Sequence, residues 1–195
     1  MVKKDINSWT RWLHIYLSMF SFAALFFFAV TGITLNHPDW LKGEQKVEQL
    51  SGKMDPAWLS AGDSGAVAKL EIVEYLRNTH KIKAGLSDFR TEESECAVSF
   101  AGPGYAADAF ISRAGGSYDI TISYAGSVAV MNDLHKGRDT GSAWALVIDI
   151  SAVLMVIVSL TGFIMIFFIT KRKSNGLMIA VLGTILFVIL CYILV

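Results

Sequence analysis

Hydrophobic and polar residues separate along this chain into three long apolar stretches and one mixed region, residues 38–143. The apolar stretches run from about Trp12 to Asn36, from Trp144 to Thr170 and from Leu177 to Val195. Each approaches or exceeds the roughly 20 mostly apolar residues that a helix needs to cross a bilayer. The pattern therefore predicts three transmembrane helices. The short KRKSNG segment predicts that the last two form a tight hairpin.

The mixed region has the pattern of a small α+β domain. Residues Ser64 to His80 show helical spacing, which places Val67, Leu70, Val73 and Leu76 on one face. The segments ECAVSFAG, ADAFISR and SYDITISY alternate as strands do, with glycine-rich turns between them. Residues 41–62 have few apolar runs and suggest irregular structure anchored by Trp58. We therefore predict one helix packed on a small antiparallel sheet.

These patterns divide the chain into residues 1–37 with the first membrane helix, the α+β domain at 38–143, and the helical hairpin at 144–195. The composition agrees, because 53% hydrophobic residues and a mean hydropathy of +0.48 are typical of a mixed membrane and soluble chain. The first apolar stretch is too long for the core of a signal peptide. We therefore expect an uncleaved anchor.

Charge predicts the orientation in the membrane. Lys3, Lys4 and Arg11 precede the first predicted helix, and Lys171 to Lys173 follow the second. Both groups belong in the cytoplasm under the positive-inside rule. Residues 38–143 carry 11 basic and 15 acidic side chains, a net charge of −4, and are predicted to face the opposite side. The formal net charge of zero gives no support for nucleic-acid binding.

Outside the membrane the sequence offers little chemistry. There is no hydrolytic triad, CxxC pair or phosphate-binding loop. Cys96 and Cys191 lie in different regions and are not expected to form a disulfide with each other. We expect Cys96 to be a small buried hydrophobic residue, with an intermolecular disulfide as the alternative. His80 ends the predicted helix, where a solvated cationic side chain suits the dipole.

The other three histidines lie at the edges of the predicted membrane helices. His14 and His37 flank the first helix, and His135 precedes the second. Ionisable residues at membrane depth are functional by default, and membrane histidines can ligate haem iron. The structural alternative is that each imidazole reaches the headgroups.

The spacing of these histidines constrains how they could pair. His14 and His37 are 23 residues apart, or roughly 34 Å in a helix, so they cannot share one iron. Pro38 predicts that the helix ends at about His37, on the outer side with His135. His37 and His135 are therefore the predicted ligand pair of one bis-histidine haem. His14 would join a symmetry mate across a dimer, bind a quinone, or hold a haem with another partner.

Charged neighbours extend this hypothesis. Arg11 lies one turn before His14, and Lys136 and Arg138 follow His135, so these side chains are candidates for haem propionates. A third alternative is metal binding without porphyrin, because Asp133 and Asp139 flank His135.

Several residues within the predicted helices are also notable. Asp149 in the second helix should face the bundle or water, with a proton-relay or a structural role. The first helix is predicted to present one face that lets another helix or a flat ring approach. Its residues are His14, Ser18, Ser21, Leu25 and Gly32. Thr31-Gly32 and Thr161-Gly162 suggest a weak internal repeat, although both residue types are common in membrane helices.

Two long motifs resemble a known family. RWLHIYLSMFSFAALFFFAVTGITLNH is similar to the opening helix of PepSY-associated transmembrane proteins, with its Arg-x-x-His start and Thr-Gly near the exit. MNDLHKGRDTGSAWALVIDISAVLMVIVSLTGFIM resembles a later helix, with Leu-His-x-Gly and a second Thr-Gly. The resemblance covers most of the chain and implies a bacterial inner-membrane protein with a periplasmic PepSY-like domain.

The resemblance also implies an activity. Several members are haem-containing reductases for ferric iron or ferric siderophores, and this small form looks most like those that feed a ferrous-iron importer. It implies haem b held by His14, His37 and His135. We expect ferric iron or a ferric chelate as substrate, with quinol or a cytoplasmic reductant as donor. Larger members have more helices and histidines, so we expect a homodimer here. The rival is a membrane-anchored PepSY module that regulates a peptidase or senses envelope state.

Overall fold

The computed structural model describes residues 2–41, 45–59, 67–169 and 171–194. The described chain contains three helices long and apolar enough to cross a membrane, together with a five-stranded antiparallel sheet and two shorter helices. The predicted fold class, a helical membrane part with an α+β domain, is confirmed. Two compact units are present, residues 1–27 with 149–195, and residues 28–148.

Three long helices, α1 (Val2–Asn36), α4 (Ser142–Met165) and α5 (Lys173–Leu194), form from the apolar stretches. A short 3₁₀ segment, Ile166–Phe168, extends α4. α1 ends immediately before His37-Pro38, as predicted, because the residue before proline avoids the helical region. α5 begins four residues earlier than Leu177, since the polar residues after Lys173 join its first turn. Thr170 and Val195, predicted ends of two stretches, lie outside the described residues.

The face of α1 that was predicted to receive another helix or a flat ring is only partly buried. Leu25 was expected on it but is 48% exposed, whereas Ser21 is buried. The less exposed face of the helix is centred on Leu17, Ser21 and Ala24, so that Leu25 falls beyond its edge. At 3.6 residues per turn, Ser21 and Leu25 lie about 20° to either side of His14, so a narrow buried face can include Ser21 and leave Leu25 outside.

The sheet has the strand order β1-β5-β4-β3-β2, with every neighbouring pair antiparallel. The three predicted strands are confirmed as β3 (Glu95–Gly102), β4 (Tyr105–Ser112) and β5 (Ser117–Tyr124). Two edge strands were missed, namely β1 (Lys46–Lys53) and β2 (Gly85–Thr91).

The segment of β1 was wrongly predicted to be irregular. All eight of its residues pair with β5, yet Val47 and Leu50 stay exposed. An edge strand that buries neither face lacks the alternating apolar pattern by which strands are recognised. Its conformation therefore comes from ladder hydrogen bonds to β5 rather than from its own side chains.

One helix, α2 (Lys69–His80), covers one face of the sheet and forms the core with it. The alternating residues of β3, β4 and β5 supply that face, and Cys96 is fully buried among them, as predicted. The largest fully buried core side chains are Phe100, Leu59, Ile72, Leu76, Ile111, Ile120 and Val98. Trp58 packs against this core, consistent with its predicted anchoring role.

The buried face predicted for α2 is wrong at one position. Leu70 was expected in the core but is 69% exposed, whereas Ile72 is fully buried. Two residues correspond to more than half a turn, so Leu70 and Ile72 lie on opposite sides of a helix with 3.6 residues per turn. The start predicted at Ser64 lies outside the described residues, and the described helix begins at Lys69.

Gly116 in the β4–β5 turn permits a stability test. Its φ is +71°, and an added Cβ would lie closer to the Met54 carbonyl oxygen than van der Waals contact allows. Gly116→Ala is expected to lower the free energy of unfolding by about 2–4 kcal/mol, because both backbone strain and overpacking contribute. The neighbouring Gly115→Ala is the control, since nothing lies within 4 Å of its added Cβ. Chemical unfolding of the detergent-solubilised chain measures both, and equal stability of the two variants would contradict the prediction.

Candidate functional site

The imidazole of His14 packs on the Thr161-Gly162 pair of α4. His14 Nδ1 lies 3.1 Å from the Val158 carbonyl oxygen and 3.0 Å from Thr161 Oγ1. A Cβ added at Gly162 would lie only 3.1 Å from His14 Cε1. Glycine at position 162 therefore lets the ring approach the helix backbone closely. We call this group the His14 site.

The hydrogen bonds of the His14 site determine the tautomer. A carbonyl oxygen only accepts, so the contact with Val158 requires a proton on His14 Nδ1. The Thr161 hydroxyl donates to carbonyl oxygens of its own helix at 2.9 Å, which leaves its lone pairs for the same imidazole proton. We therefore assign Nδ1–H to neutral His14, and Nε2 carries the lone pair. In this tautomer Nε2, not Nδ1, is the ring atom that could bind a metal ion.

The imidazole of His135 packs on the other Thr-Gly pair, Thr31-Gly32 of α1. His135 Nδ1 lies 2.5 Å from Thr31 Oγ1, and its ring meets Phe28 edge-on at a centroid distance of 5.1 Å. A Cβ added at Gly32 would lie 3.8 Å from His135 Cε1, an ordinary contact. Thr31 is 1% exposed, so its hydroxyl is a buried partner for the imidazole. We call this group the His135 site.

His135 belongs to a short helix, α3 (Ser127–Lys136), that is fixed at its C-terminus. The helix ends at Gly137, whose φ of +68° suits glycine. The Trp144 indole N–H donates to the Leu134 carbonyl oxygen at 2.8 Å. Asn132 lies three residues before His135, and its Oδ1 accepts a hydrogen bond from the Thr34 hydroxyl at 2.6 Å. α3 is therefore held to α1 through Asn132 and to α4 through Leu134.

α3 is also tied to the sheet through Asp133. The Gly104 N–H in the β3–β4 turn donates to Asp133 Oδ2 at 3.0 Å, and Arg138 donates to Asp133 Oδ1 at 2.8 Å. A side chain at Gly104 would meet Val130, so the turn approaches α3 closely. The helix that carries His135 is thus joined to the sheet by one charge-assisted hydrogen bond and by close packing.

The two histidine sites use the Thr-Gly pairs reciprocally. The first helix supplies His14 to the Thr161-Gly162 pair and offers its own Thr31-Gly32 pair to His135. The sequence suggested the two Thr-Gly pairs as a weak repeat but gave no sign that each receives a histidine from the other half. These contacts join residues more than a hundred positions apart, beyond the range of any local pattern.

The other predicted site residues fall around these two sites. His135 contacts α1 at Phe28, Thr31 and Gly32, whereas His37 lies beyond the end of that helix, so the pairing of His37 with His135 stays a prediction. Arg11 is exposed one turn before His14. The guanidinium of Arg138 already pairs with Asp133, and an acceptor such as a propionate would have to displace that contact.

Two further expectations concern Asp149 and a metal site. Asp149 is exposed on α4 in the single chain, and its expected position facing the bundle or water stays a prediction. Exposure on an apolar helix leaves a second copy, water or the headgroup region as its surroundings. Within the described ranges, no three His, Cys, Asp or Glu side chains gather as a metal site. The non-haem alternative around His135, Asp133 and Asp139 stays a prediction.

His80 is not the solvated helix terminus that was expected. It is half-buried, and its Nε2 lies 3.0 Å from the Tyr118 hydroxyl. Burial raises the pKa of Tyr118 to about 12, helped by a hydrogen bond to Tyr75, and the Tyr75 hydroxyl donates to the Lys53 carbonyl oxygen at 3.0 Å. A consistent chain of donors runs from His80 through both tyrosines to that carbonyl. Sequence reasoning missed it because the residues come from separate elements.

The buried environment of His80 predicts a pH dependence. Burial lowers the pKa of His80 from 6.5, so the unfolded chain takes up its proton more readily than the folded chain. Its contribution to stability is complete above pH 6.5 and is lost as the pH falls through that value and below. Thermal unfolding between about pH 7.5 and 5.5 should show a smaller pH-dependent decrease in Tm for His80→Asn than for the unsubstituted chain. Parallel pH profiles would contradict the prediction.

Comparison with known proteins agrees with this architecture. The model of the PepSY_TM-like family matches residues 8–195, which include both histidine sites, the sheet and all three long helices. No curated protein and no solved structure gives a significant match. A match over nearly the whole length, with three apolar helices and an α+β domain in the expected order, shows a common architecture. The chain therefore belongs to the PepSY_TM-like family of membrane proteins.

Proposed function

We propose that this protein is a haem b-dependent reductase of the bacterial inner membrane. It passes electrons across the membrane and reduces Fe(III) to Fe(II) in the periplasm for iron uptake. The substrate is ferric iron or a ferric chelate, and the donor is quinol or a cytoplasmic reductant. The Fe(II) formed would supply a ferrous-iron importer. Under this proposal the N-terminus is cytoplasmic and the sheet domain is periplasmic, as the charge distribution predicts.

The observation that carries the proposal is the pair of histidines on Thr-Gly pairs. A ligating imidazole usually donates its second ring N–H to a carbonyl, carboxylate or water, which fixes the ring and makes it a better ligand. His14 has this arrangement through the Val158 carbonyl oxygen. A histidine that merely reached the headgroups would need neither a buried threonine nor a glycine beside its ring.

The residues present fit a haem group in the chemistry of their donors. His14 and His135 would supply neutral imidazole, and His37 is the predicted second ligand on the outer side. Arg11 is available to bind a haem propionate near His14. Arg138 would have to release its ion pair with Asp133 in order to bind a propionate near His135. Bound haem would supply reversible one-electron chemistry. The protein's own contributions are ring orientation through Thr31 and Thr161 and exclusion of water by the apolar helices.

We further propose that the protein acts as a homodimer. One copy carries three histidines at the predicted membrane edges, which is an odd number for bis-histidine ligation. Apolar side chains are exposed along all of α5, and a free thiol, Cys191, lies on this helix. A symmetry mate would supply the missing ligand for His14.

One observation favours a second function, a membrane-anchored module that regulates a peptidase or senses envelope state. β1 and β2 are the two edges of the sheet, and β1 leaves Val47 and Leu50 exposed. Such an edge can receive an extended segment of a partner as an added strand. This function needs no haem, and replacing the membrane histidines would leave it intact.

An optical experiment separates the two functions. The full-length protein is expressed with excess haem precursor, purified in detergent, and measured as a reduced-minus-oxidised spectrum. The reductase proposal predicts a b-type spectrum and reoxidation of the reduced protein by ferric citrate, with Fe(II) trapped by a ferrous chelator. A folded but colourless protein would overturn it and leave the anchored module as the better proposal.

A further inference from the structure

A recess of about 390 Å³ opens on the sheet domain, where the end of α2 meets the β3–β4 turn and the last residue of β5. Its walls include His80, Lys81 and Lys83 from the segment after α2, with Tyr105 and Tyr124 opposite. The two tyrosine rings stack edge to face at a centroid distance of 5.3 Å. The volume lies within the roughly 300–1,000 Å³ that is usual for small-molecule sites.

The two lysines of the recess lie on one side of their segment. Ile82 between them is 5% exposed and belongs to the core, whereas Lys81 and Lys83 are both exposed. Both lysine side chains therefore line the recess and reach solvent, while the residue between them points into the core. Lys81 has a φ of +55° and ends α2, so the chain changes direction between the helix and Lys83.

The positive charge of the recess is not neutralised within the described chain. Among the residues that the structure describes, no carboxylate lies within ion-pair distance of Lys81 or Lys83. The lysine near Tyr124 differs, because Lys46 pairs with Glu48 at 2.6 Å. Residues 38–143 carry a net charge of −4, so the two unpaired lysines make the recess positive in a domain that is negative as a whole. A concave positive site of this kind attracts anions.

We propose that this recess binds a small organic polyanion, a di- or tricarboxylate. Two lysines on one side suit two carboxylates, since each ammonium is a compact point charge with three donors. The tyrosine rings add apolar and hydroxyl surface that a carbon framework can use and that sulfate or phosphate cannot. The proposal goes beyond the proposed function, because it requires neither haem nor iron.

Citrate is the probe, and the full-length protein in a neutral detergent is titrated calorimetrically at constant ionic strength. The test variant Lys81→Asn/Lys83→Gln removes both charges, and asparagine tolerates the left-handed backbone at position 81. The control variant Lys53→Gln/Lys69→Gln removes two exposed charges from other parts of the same domain. We expect saturable citrate binding that weakens at least tenfold in the test variant and changes less than twofold in the control.

Three results would overturn the proposal. The first is no saturable citrate binding by the folded protein. The second is equal weakening in both double variants, which would mean attraction by overall charge. The third is competition by sulfate or acetate as strong as that by citrate, which would mean a general anion site. None of these depends on the presence of haem, so the reductase proposal is tested separately.

Discussion

Alanine in place of His14 or His135 is expected to remove most of the b-type haem absorbance from the purified protein. Each imidazole is held through Nδ1 against a buried threonine, so removal of the ring takes away both the ligand and its fixed orientation. Haem content per protein, from the optical spectrum and a pyridine haemochrome assay, gives the measurement.

His80→Ala is the matched control for these substitutions. It also removes a half-buried, hydrogen-bonded histidine, but one in the sheet domain. Its haem content should equal that of the unsubstituted protein. Thr31→Val and Thr161→Val keep both histidines and remove only the hydroxyl partner, for which a loss of roughly 10–100-fold in haem affinity is expected. Full haem content in both histidine variants would show that the two imidazoles are structural.

The Gly162→Ala substitution is expected to give the second large effect. The added Cβ would lie 3.1 Å from His14 Cε1, tighter than most Cβ contacts in proteins, so the ring would have to shift. The imidazole cannot retreat without stretching its contacts to Val158 and Thr161. We therefore expect a loss of about 1–3 kcal/mol in stability, the usual cost of overpacking, together with reduced haem content.

Two other glycines supply controls for this substitution. At Gly32 the corresponding Cβ lies 3.8 Å from His135 Cε1, and at Gly183 nothing lies within 4 Å. All three changes add the same methyl group to a helix, so any gain in helix propensity is shared. Thermal unfolding in detergent should rank Gly162→Ala well below the other two. Three equal Tm values would mean that His14 does not occupy the described position.

How much the sequence reveals depends on how local each signal is. The three long helices could be predicted from continuous apolar runs. Strands β3 to β5 could be predicted from the alternation of apolar and polar side chains. β1 and β2 do not, because edge strands take their conformation from a neighbour that the sequence does not identify. Leu70 shows the limit within one helix, where a register difference of two residues reverses which side is buried.

The candidate site shows the same division. The membrane-edge histidines were identified because ionisable residues are rare in apolar stretches. Their partners were not, since Thr161 lies 147 residues from His14 and Thr31 lies 104 residues from His135. His80 was wrongly predicted to be solvated, because its partner Tyr118 belongs to β5 and not to the helix that His80 ends.

The link between Gly104 and Asp133 affects how this protein can be divided into fragments. A soluble fragment that ends before α3 would leave the Gly104 amide without its acceptor and would uncover the surface that Val130 occupies. Such a fragment would expose a new apolar patch on the β3–β4 turn and would tend to aggregate for that reason alone. Failure of such a fragment to bind a partner would therefore not count against a binding role for the intact domain.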